Sequence, residues 1–347
     1  MTHKRIVEIV KGFKGKRVLV IGDLMLDHTI RGAATRVCPE APALVVNVEA
    51  EVYAPGGAAN AVANFCSLGA TVEAAGLVGG DDNGDRLLEM LREIGVDTGF
   101  VFTDPCRETT TKTRVFAGQT LIVRVDSERS VEPNKYLRDR LSESVRTRRE
   151  IDAIFVSDYR KGVVGKDVMT EVRGRNLLTV ADPKGLDFSL YQGVTAITPN
   201  SAEVLQATGA AAGGWDAEER ACRDLIAKHG FKAVLLTRSE LGVAVFEVDT
   251  THSLYAGMMP IAYSGITLQT EPTVGRPTLY PSFATAPVNV SGAGDTVAAA
   301  YTLALLAGAS HPEAAYVGNL AAGIVVSREK RRTVMPDEIV NNFHAEG

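Results

Sequence analysis

Short apolar runs rich in β-branched residues recur along this chain, separated by stretches with helical spacing. Arg17-Val18-Leu19-Val20-Ile21-Gly22-Asp23 is too short for a helix and ends in turn residues, as a strand buried on both faces should. Val72–Val78 repeats the form, and after residue 150 it becomes regular: Ile151–Ser157, Leu177–Ala181, Val194–Thr198 and Ala233–Thr237. Between the runs, Asn60–Leu68 reads as a helix stopped by Gly69, and Asp82–Ile94 as one ending at Gly95. This rhythm predicts the α/β class, with a doubly wound, mostly parallel sheet flanked by helices. The chain has 347 residues, 45% of them hydrophobic, which is enough to build this as one large domain over 1–347.

Two stretches break the rhythm. Residues 28–53 and 109–126 are rich in β-branched residues, and the second turns at Gly118-Gln119, so both predict hairpins. They form either a small separate β unit or an antiparallel edge on the main sheet. A third stretch, 255–285, is low in charge, dotted with Pro and Gly, and reads as an insertion without an assignable role.

Charge and cysteine usage narrow the function classes. A formal charge of −5 gives no basic excess, which argues against a nucleic-acid partner, and the runs Arg146–Arg149 and Arg328–Arg332 read as solvated helix faces. Cys38, Cys66, Cys106 and Cys222 lack the close spacing of a zinc or redox site and read as free thiols of a reducing compartment. No window approaches the ~20 apolar residues of a membrane span, and the charged N-terminus has no apolar core after it. The expectation is a cytoplasmic protein without a membrane partner.

The most chemically suggestive segment is Pro287-Val288-Asn289-Val290-Ser291-Gly292-Ala293-Gly294-Asp295-Thr296, which runs into the small apolar stretch Val297–Leu306. A Gly-Ala-Gly turn opening a helix directs backbone N–H groups and the positive end of the helix dipole at one point, which suits a phosphoryl group. A carboxylate at that point repels phosphate unless it handles a proton, so Asp295 beside Gly292, Ala293 and Gly294 suggests phosphoryl transfer to an alcohol. An ordinary helix start with an acid in its first turn is the competing interpretation. In open α/β sheets ligands sit beyond the carboxyl ends of the strands, where Asp23, Asp158, Asp182 and Asn200 all fall.

The 289–296 turn resembles the signature of the ribokinase-like (PfkB) carbohydrate kinases, and Pro55-Gly56-Gly57-Ala58-Ala59-Asn60 resembles their upstream element, in the expected order. The blocks Ser157–Gly162, Asp182–Gly185, Thr198–Glu203 and Thr237–Gly242 resemble the family's strand-following loops, so the likeness covers nearly the whole chain. It implies ATP-dependent phosphorylation of a sugar hydroxyl, with Asp295 as general base and the 292–294 backbone as anion hole. Asp23, Asp27, Gly56, Gly57, Asn60 and Asp158 would meet the sugar, although Asp27 fits a turn-forming or capping role equally well. Asn200-Ser201-Ala202-Glu203 would hold a Mg2+–phosphate assembly, Glu203 through water, or Glu203 is merely an acid favoured at a helix start. Lys184 would meet nucleotide phosphate, Thr237, Arg238 and Gly242 would lie along the nucleotide, and Asn319 would fall near the adenine. The strands of 28–53 and 109–126 would form a lid over the sugar and supply a homodimer contact.

The segments Thr35–Pro42, Thr111–Val115, Ser157–Tyr159 and Asp182–Gly185 are similar to those of D-glycero-β-D-manno-heptose 7-phosphate kinases. That implies phosphorylation of the anomeric hydroxyl to a 1,7-bisphosphate, on the way to ADP-heptose and lipopolysaccharide precursors. Lys112 and Arg114, with Arg124, would grip the substrate's existing phosphate, or they pair across strands on the surface. Other readings stay open: a kinase of a ketose, ribose or nucleoside, or a catalytically inactive sugar- or nucleotide-binding relative. Asn289 and Ser291 stand where the family pattern has Asp and Thr, which weighs against a monovalent-cation (K+) site. No His-x-Gly-His element of a nucleotidyltransferase follows, so adenylyl transfer in such a pathway is expected from a separate protein.

Overall fold

In the computed structural model, alternate residues of each central strand enter opposite layers. Val18 and Val20 join one hydrophobic cluster and Leu19 and Ile21 the other, as the period-2 geometry of a doubly covered strand requires. The structure describes residues 1–210, 213–249, 273–284, 290, 292–328 and 333–343. The chain opens with α1 (His3–Lys11) and β1 (Arg17–Gly22), followed by two long strands, β2 (Leu24–Val37) and β3 (Leu44–Gly57). Then come α2 (Ala58–Ser67), β4 (Thr71–Gly79), α3 (Asp82–Glu93), β5 (Asp97–Asp104) and the hairpin β6 (Thr111–Ala117) and β7 (Thr120–Ser127). The regular half holds α4 (Lys135–Thr147), β8 (Ala153–Ser157), α5 (Lys166–Gly174), β9 (Leu178–Asp182), β10 (Ala196–Ile197), α6 (Ser201–Thr208), α7 (Trp215–His229) and β11 (Ala233–Thr237). It closes with β12 (Val243–Glu247), β13 (Thr278–Tyr280), α8 (Ala293–Leu306), α9 (His311–Val326) and α10 (Pro336–Asn341).

The main sheet has the order β13-β12-β11-β10-β9-β8-β1-β4-β5 and is parallel from β11 through β5. From β1 the chain passes to β4 and β5 on one side, then to β8 through β11 on the other. This reversal opens a crevice at the carboxyl ends, where open α/β sheets take their ligands. β10 spans only Ala196–Ile197, and the pairing with β11 continues beyond it, the Thr237 N–H donating to the Pro199 carbonyl at 2.9 Å. Part of the 255–285 stretch is described. β13 extends the sheet edge antiparallel to β12, and the residues of that stretch before Thr273 and after Ala284 lie outside the described set.

The two irregular regions form their own four-stranded sheet, β3-β2-β6-β7, and not an edge of the main one. β2 leaves β1 after a single residue and pairs antiparallel with β3 and parallel with β6, and the 118–119 turn joins β6 to β7. Of the first basic run, Arg146 is exposed in the last turn of α4, as a solvated helix face requires. Arg148 lies beyond α4, with its guanidinium 4.5 Å from the Phe100 ring and 3.0 Å from Asp97. Arg328 lies beyond α9 and pairs with Glu338 at 2.9 Å, while residues 329–332 are outside the described set. Among the described residues no helix is long and apolar enough to cross a membrane.

Helices α8 and α9 are apolar on nearly every face and are correspondingly buried against each other. α8 is tied to α2 by polar side chains in a dry interface. The Thr296 hydroxyl donates to Asn64 Oδ1 at 2.8 Å, and Asn64 Nδ2 donates to the Asn60 carbonyl at 2.9 Å. Asn64 is fully buried, and removing it takes away two hydrogen bonds, although the Thr296 hydroxyl keeps the Gly292 carbonyl at 3.2 Å. Asn64→Ala should lower stability by about 1–2 kcal/mol, read as a shift in the denaturation midpoint. A loss under about 0.5 kcal/mol, the scale of a neutral surface change, would show that the tie contributes little.

Candidate active site

Successive parallel strands deliver Tyr159, Asp182, Thr198 and Thr237 to one wall of a cavity of about 620 Å³. Its opposite wall is the first turn of α8 with Asn319 of α9, and Ser282 and Ala284, just after β13, close one side. Gly292 caps α8 at φ +83°, a left-handed conformation that favours glycine, and a Cβ there would lie 2.7 Å from Asn60 Nδ2. The glycine therefore permits both the sharp entry into the helix and the approach of Asn60. The opening N–H groups of α8 lack intrahelical carbonyl partners and sit at the positive end of the dipole, beside the cavity.

Asp295 stands in that first turn and is only 6% exposed. Its Oδ2 accepts from Asn60 Nδ2 at 2.6 Å and its Oδ1 from the Tyr159 hydroxyl at 3.4 Å. Burial, reinforced by the negative charge of Asp182, pushes the carboxyl up to about 7, while Asn60, Lys184 and Tyr159 pull the other way. A carboxylate poised near neutrality is matched to taking a proton at physiological pH.

Lys184, on the same wall as Asp182, bridges two acids. Its Nζ lies 2.7 Å from Glu203 and 3.4 Å from Asp182. These charges hold the ammonium well above its usual range although burial opposes them. Asp182 also accepts from the Thr198 hydroxyl at 3.0 Å. Asn200 and Glu203 form a capping box on α6: Asn200 Oδ1 accepts from the Glu203 N–H, and Glu203 Oε2 from the Asn200 N–H. Ser201 and Ala202 make the first turn of that helix. Helix capping and an ion pair thus coexist on the residues expected near metal and phosphate.

Other expected contacts have different occupations here. Asp23, 2% exposed, accepts from the backbone N–H groups of Tyr159, Lys161 and Val163 at 2.7, 3.0 and 3.2 Å. It fastens the loop after β8. Asp158 is buried under the Tyr191 hydroxyl and the Arg160 N–H, and desolvation with the neighbouring Asp23 charge raises it to about 6. Asp27 pairs with Arg114 at 2.8 Å, beneath Gly56. Lys112 lies 3.2 Å from Asp126 and 3.4 Å from Glu128. Gly57, at φ +53°, turns β3 into α2 and so places Asn60 on Asp295. Arg238 points away from the cavity, to Glu218 at 2.8 Å and across the Trp215 ring at 4.7 Å. Gly242, at φ +86°, admits the backbone of Tyr280–Ser282, where a side chain would collide. Asn319 donates to the Pro281 carbonyl at 2.7 Å while lining the cavity.

Tyr159 and Asp182 are the residues that sequence reasoning undervalued. Both stand at or just beyond the carboxyl end of a parallel strand, the position that marks them in the sequence. Asn289 and Ser291 lie outside the described residues. Among the described residues, no cluster of three or more His, Cys, Asp or Glu is placed to hold a metal.

The sequence is 38% identical over 346 residues to the bifunctional protein HldE of Pelobacter propionicus, covering 98% of this chain and 66% of that protein. The chain thus spans about two thirds of the length of this relative. The fold is similar to Arabidopsis thaliana ribokinase complexed with ribose and ATP (TM-score 0.69, 16% identity, 95% of this chain and 100% of that one). It is also similar to Escherichia coli phosphofructokinase-2 in complex with potassium (TM-score 0.72, 17% identity, 94% and 97%). The sequence pattern of the pfkB family carbohydrate kinases matches residues 16–261 and 269–338. With this match over most of its length, the chain belongs to the pfkB family of ATP-dependent carbohydrate kinases.

Proposed function

We propose that this kinase transfers the γ-phosphoryl group of ATP to the anomeric hydroxyl of D-glycero-β-D-manno-heptose 7-phosphate, giving the 1,7-bisphosphate. The observation that carries the chemistry is Asp295, buried at the N-terminus of α8 with one carboxylate oxygen held by Asn60. The sugar hydroxyl gives its proton to Asp295 as its oxygen attacks phosphorus, and the opening N–H groups of α8 stabilise the equatorial oxygens of the transferring group. Lys184 exchanges its acidic partners for nucleotide phosphate, and Asn319 lies along the base. The heptose assignment is supported by the likeness of the 35–42 and 111–115 segments to heptose 7-phosphate kinases and by the relative called bifunctional protein HldE. In such a pathway a nucleotidyltransferase then acts on a derivative of the product.

Mg2+ fits the donors present, which are hard carboxylate oxygens without a soft ligand cluster among the described residues. Glu203 would hold it through water, with one of its oxygens kept on the Asn200 N–H by the capping box. Mg2+ bound with ATP supplies neutralisation of phosphate charge. The small sheet is proposed as lid and homodimer surface. Val37, Leu44, Val48, Val52, Leu121, Val123 and Val125 are all exposed on it, a density of solvent-facing apolar side chains that a partner would cover.

Asp295→Asn should cut kcat by about 10²–10⁴ with sugar and ATP binding nearly intact. In the wild type, kcat/KM should fall as pH drops below about 7, because the base works only when ionised. A variant that keeps most of its turnover in an ADP-release assay refutes the assignment.

Glu203→Gln should raise the Mg2+ concentration needed for half-maximal rate. An unchanged magnesium titration removes Glu203 from the metal assembly.

We further propose that Lys112 and Arg114 grip the substrate's phosphate in competition with their carboxylate partners. Lys112, Arg124 and Lys161 outnumber Asp126 and Glu128 by three to two in one chain of ion pairs, and Arg114 with Asp27 forms a separate pair beside it. Replacing Lys112 or Arg114 with Ala should cost about tenfold more affinity for the phosphorylated sugar than for its unphosphorylated analogue, the scale of one charge-assisted contact. Equal losses point to damage of the small sheet itself, and a wild type that prefers the unphosphorylated sugar overturns the heptose-phosphate reading.

A further inference from the structure

We propose that Tyr159 is a positioning residue for phosphoryl transfer, holding the second oxygen of Asp295 and keeping that carboxylate ionised for its work. This rests on Asp295 being the base, and it adds a residue, a geometry and a pH signature that this assignment alone does not contain.

Asn60 holds only Oδ2 of Asp295. The other oxygen faces the Tyr159 hydroxyl at 3.4 Å, and Tyr159 lines the cavity. The tyrosine is itself tightly placed. Its backbone N–H donates to Asp23 at 2.7 Å, and Asp23 takes the Lys161 and Val163 N–H groups of the same loop. Lys184 Nζ sits 5.6 Å from the Tyr159 ring centroid, so the ring packs beside the ammonium expected to meet phosphate. The phenol cannot take the proton of the sugar hydroxyl, because burial and the charges of Asp295, Asp182 and Glu203 hold its own proton firmly. Donation to Asp295 is what remains.

Asp295 faces titratable groups from every side: Asp182 from the end of β9, Lys184 from the loop after it, and Tyr159 from the loop after β8. Glu203 of α6 acts on the tyrosine. Desolvation and Asp182 favour the protonated, inactive acid, and Lys184, Asn60 and Tyr159 oppose them. Withdrawing the Tyr159 hydroxyl tips this balance toward the protonated form. The acid limb of the rate profile must then move up, since the base functions only when deprotonated.

The test compares full-length wild type, Tyr159→Phe and Asp295→Asn, following ADP release from ATP·Mg2+ with the best sugar of a panel between pH 5.5 and 9.5. Thermal melting of each protein is measured alongside. Y159F removes one oxygen beside an open cavity and should melt within a few degrees of wild type. Its kcat/KM limb should rise by about half a unit to one unit, giving a roughly three- to tenfold loss at pH 6.5 that disappears by pH 9. An unmoved limb, or a proportional loss at every pH, overturns the proposal and leaves Tyr159 as packing. Failure of the underlying base assignment is separately visible as wild-type turnover in D295N.

Discussion

One buried hydrogen bond organises this molecule: Asn60 of α2 donating to Asp295 of α8 at 2.6 Å. A carboxylate taken out of water favours protonation, and a nearby second acid strengthens that preference. Left without donors, Asp295 would be a neutral carboxylic acid unable to act as a base at pH 7. The amide offsets part of the desolvation and fixes the direction of the carboxylate. It can do so only because Gly57 turns β3 sharply into α2, Gly292 has no side chain in its way, and the tie between Asn64 and Thr296 locks the two helices in register. Conformational freedom of glycine, polar satisfaction in a dry interface and proton chemistry are therefore parts of one arrangement.

The strand-end acids divide the remaining work by what surrounds each of them. Asp23 meets three backbone N–H groups and becomes a fastener for the loop after β8. Asp182 meets a hydroxyl and an ammonium and becomes part of the cavity wall. Asp158 turns away from the cavity under Tyr191. Chemically similar residues on adjacent strands thus hold different positions, because a shift of one residue at a strand end changes which face of the crevice a side chain enters.

The same loop links the site to the small sheet. Lys161, held at its N–H by Asp23, reaches Glu128 with its ammonium at 2.8 Å, and Glu128 also faces Lys112 of β6. Movement of the small sheet over a sugar would therefore be felt at the loop that carries Tyr159. The fold supplies this coupling through ion pairs that are partly exposed, and pairs of that kind break at modest cost.

Much of the architecture was legible in the sequence because it follows from local rules. Short continuous apolar runs rich in β-branched residues announced the parallel strands, Gly69 and Gly95 the helix ends, and Gly118-Gln119 the hairpin. The Gly-Ala-Gly-Asp turn announced the start of α8, since glycine conformations are properties of a few consecutive residues. Partnership was not legible. That Asp23 binds backbone, that Lys112 and Arg114 already face carboxylates, that Arg238 turns to Trp215, and that Gly242 makes room for residues 280–282 are facts about chain segments tens of residues apart. Residue type and spacing determined which groups this protein can bring to a strand end or a helix start. Only tertiary packing decided which of them remain available to a ligand, because a buried polar group takes the nearest partner the fold offers.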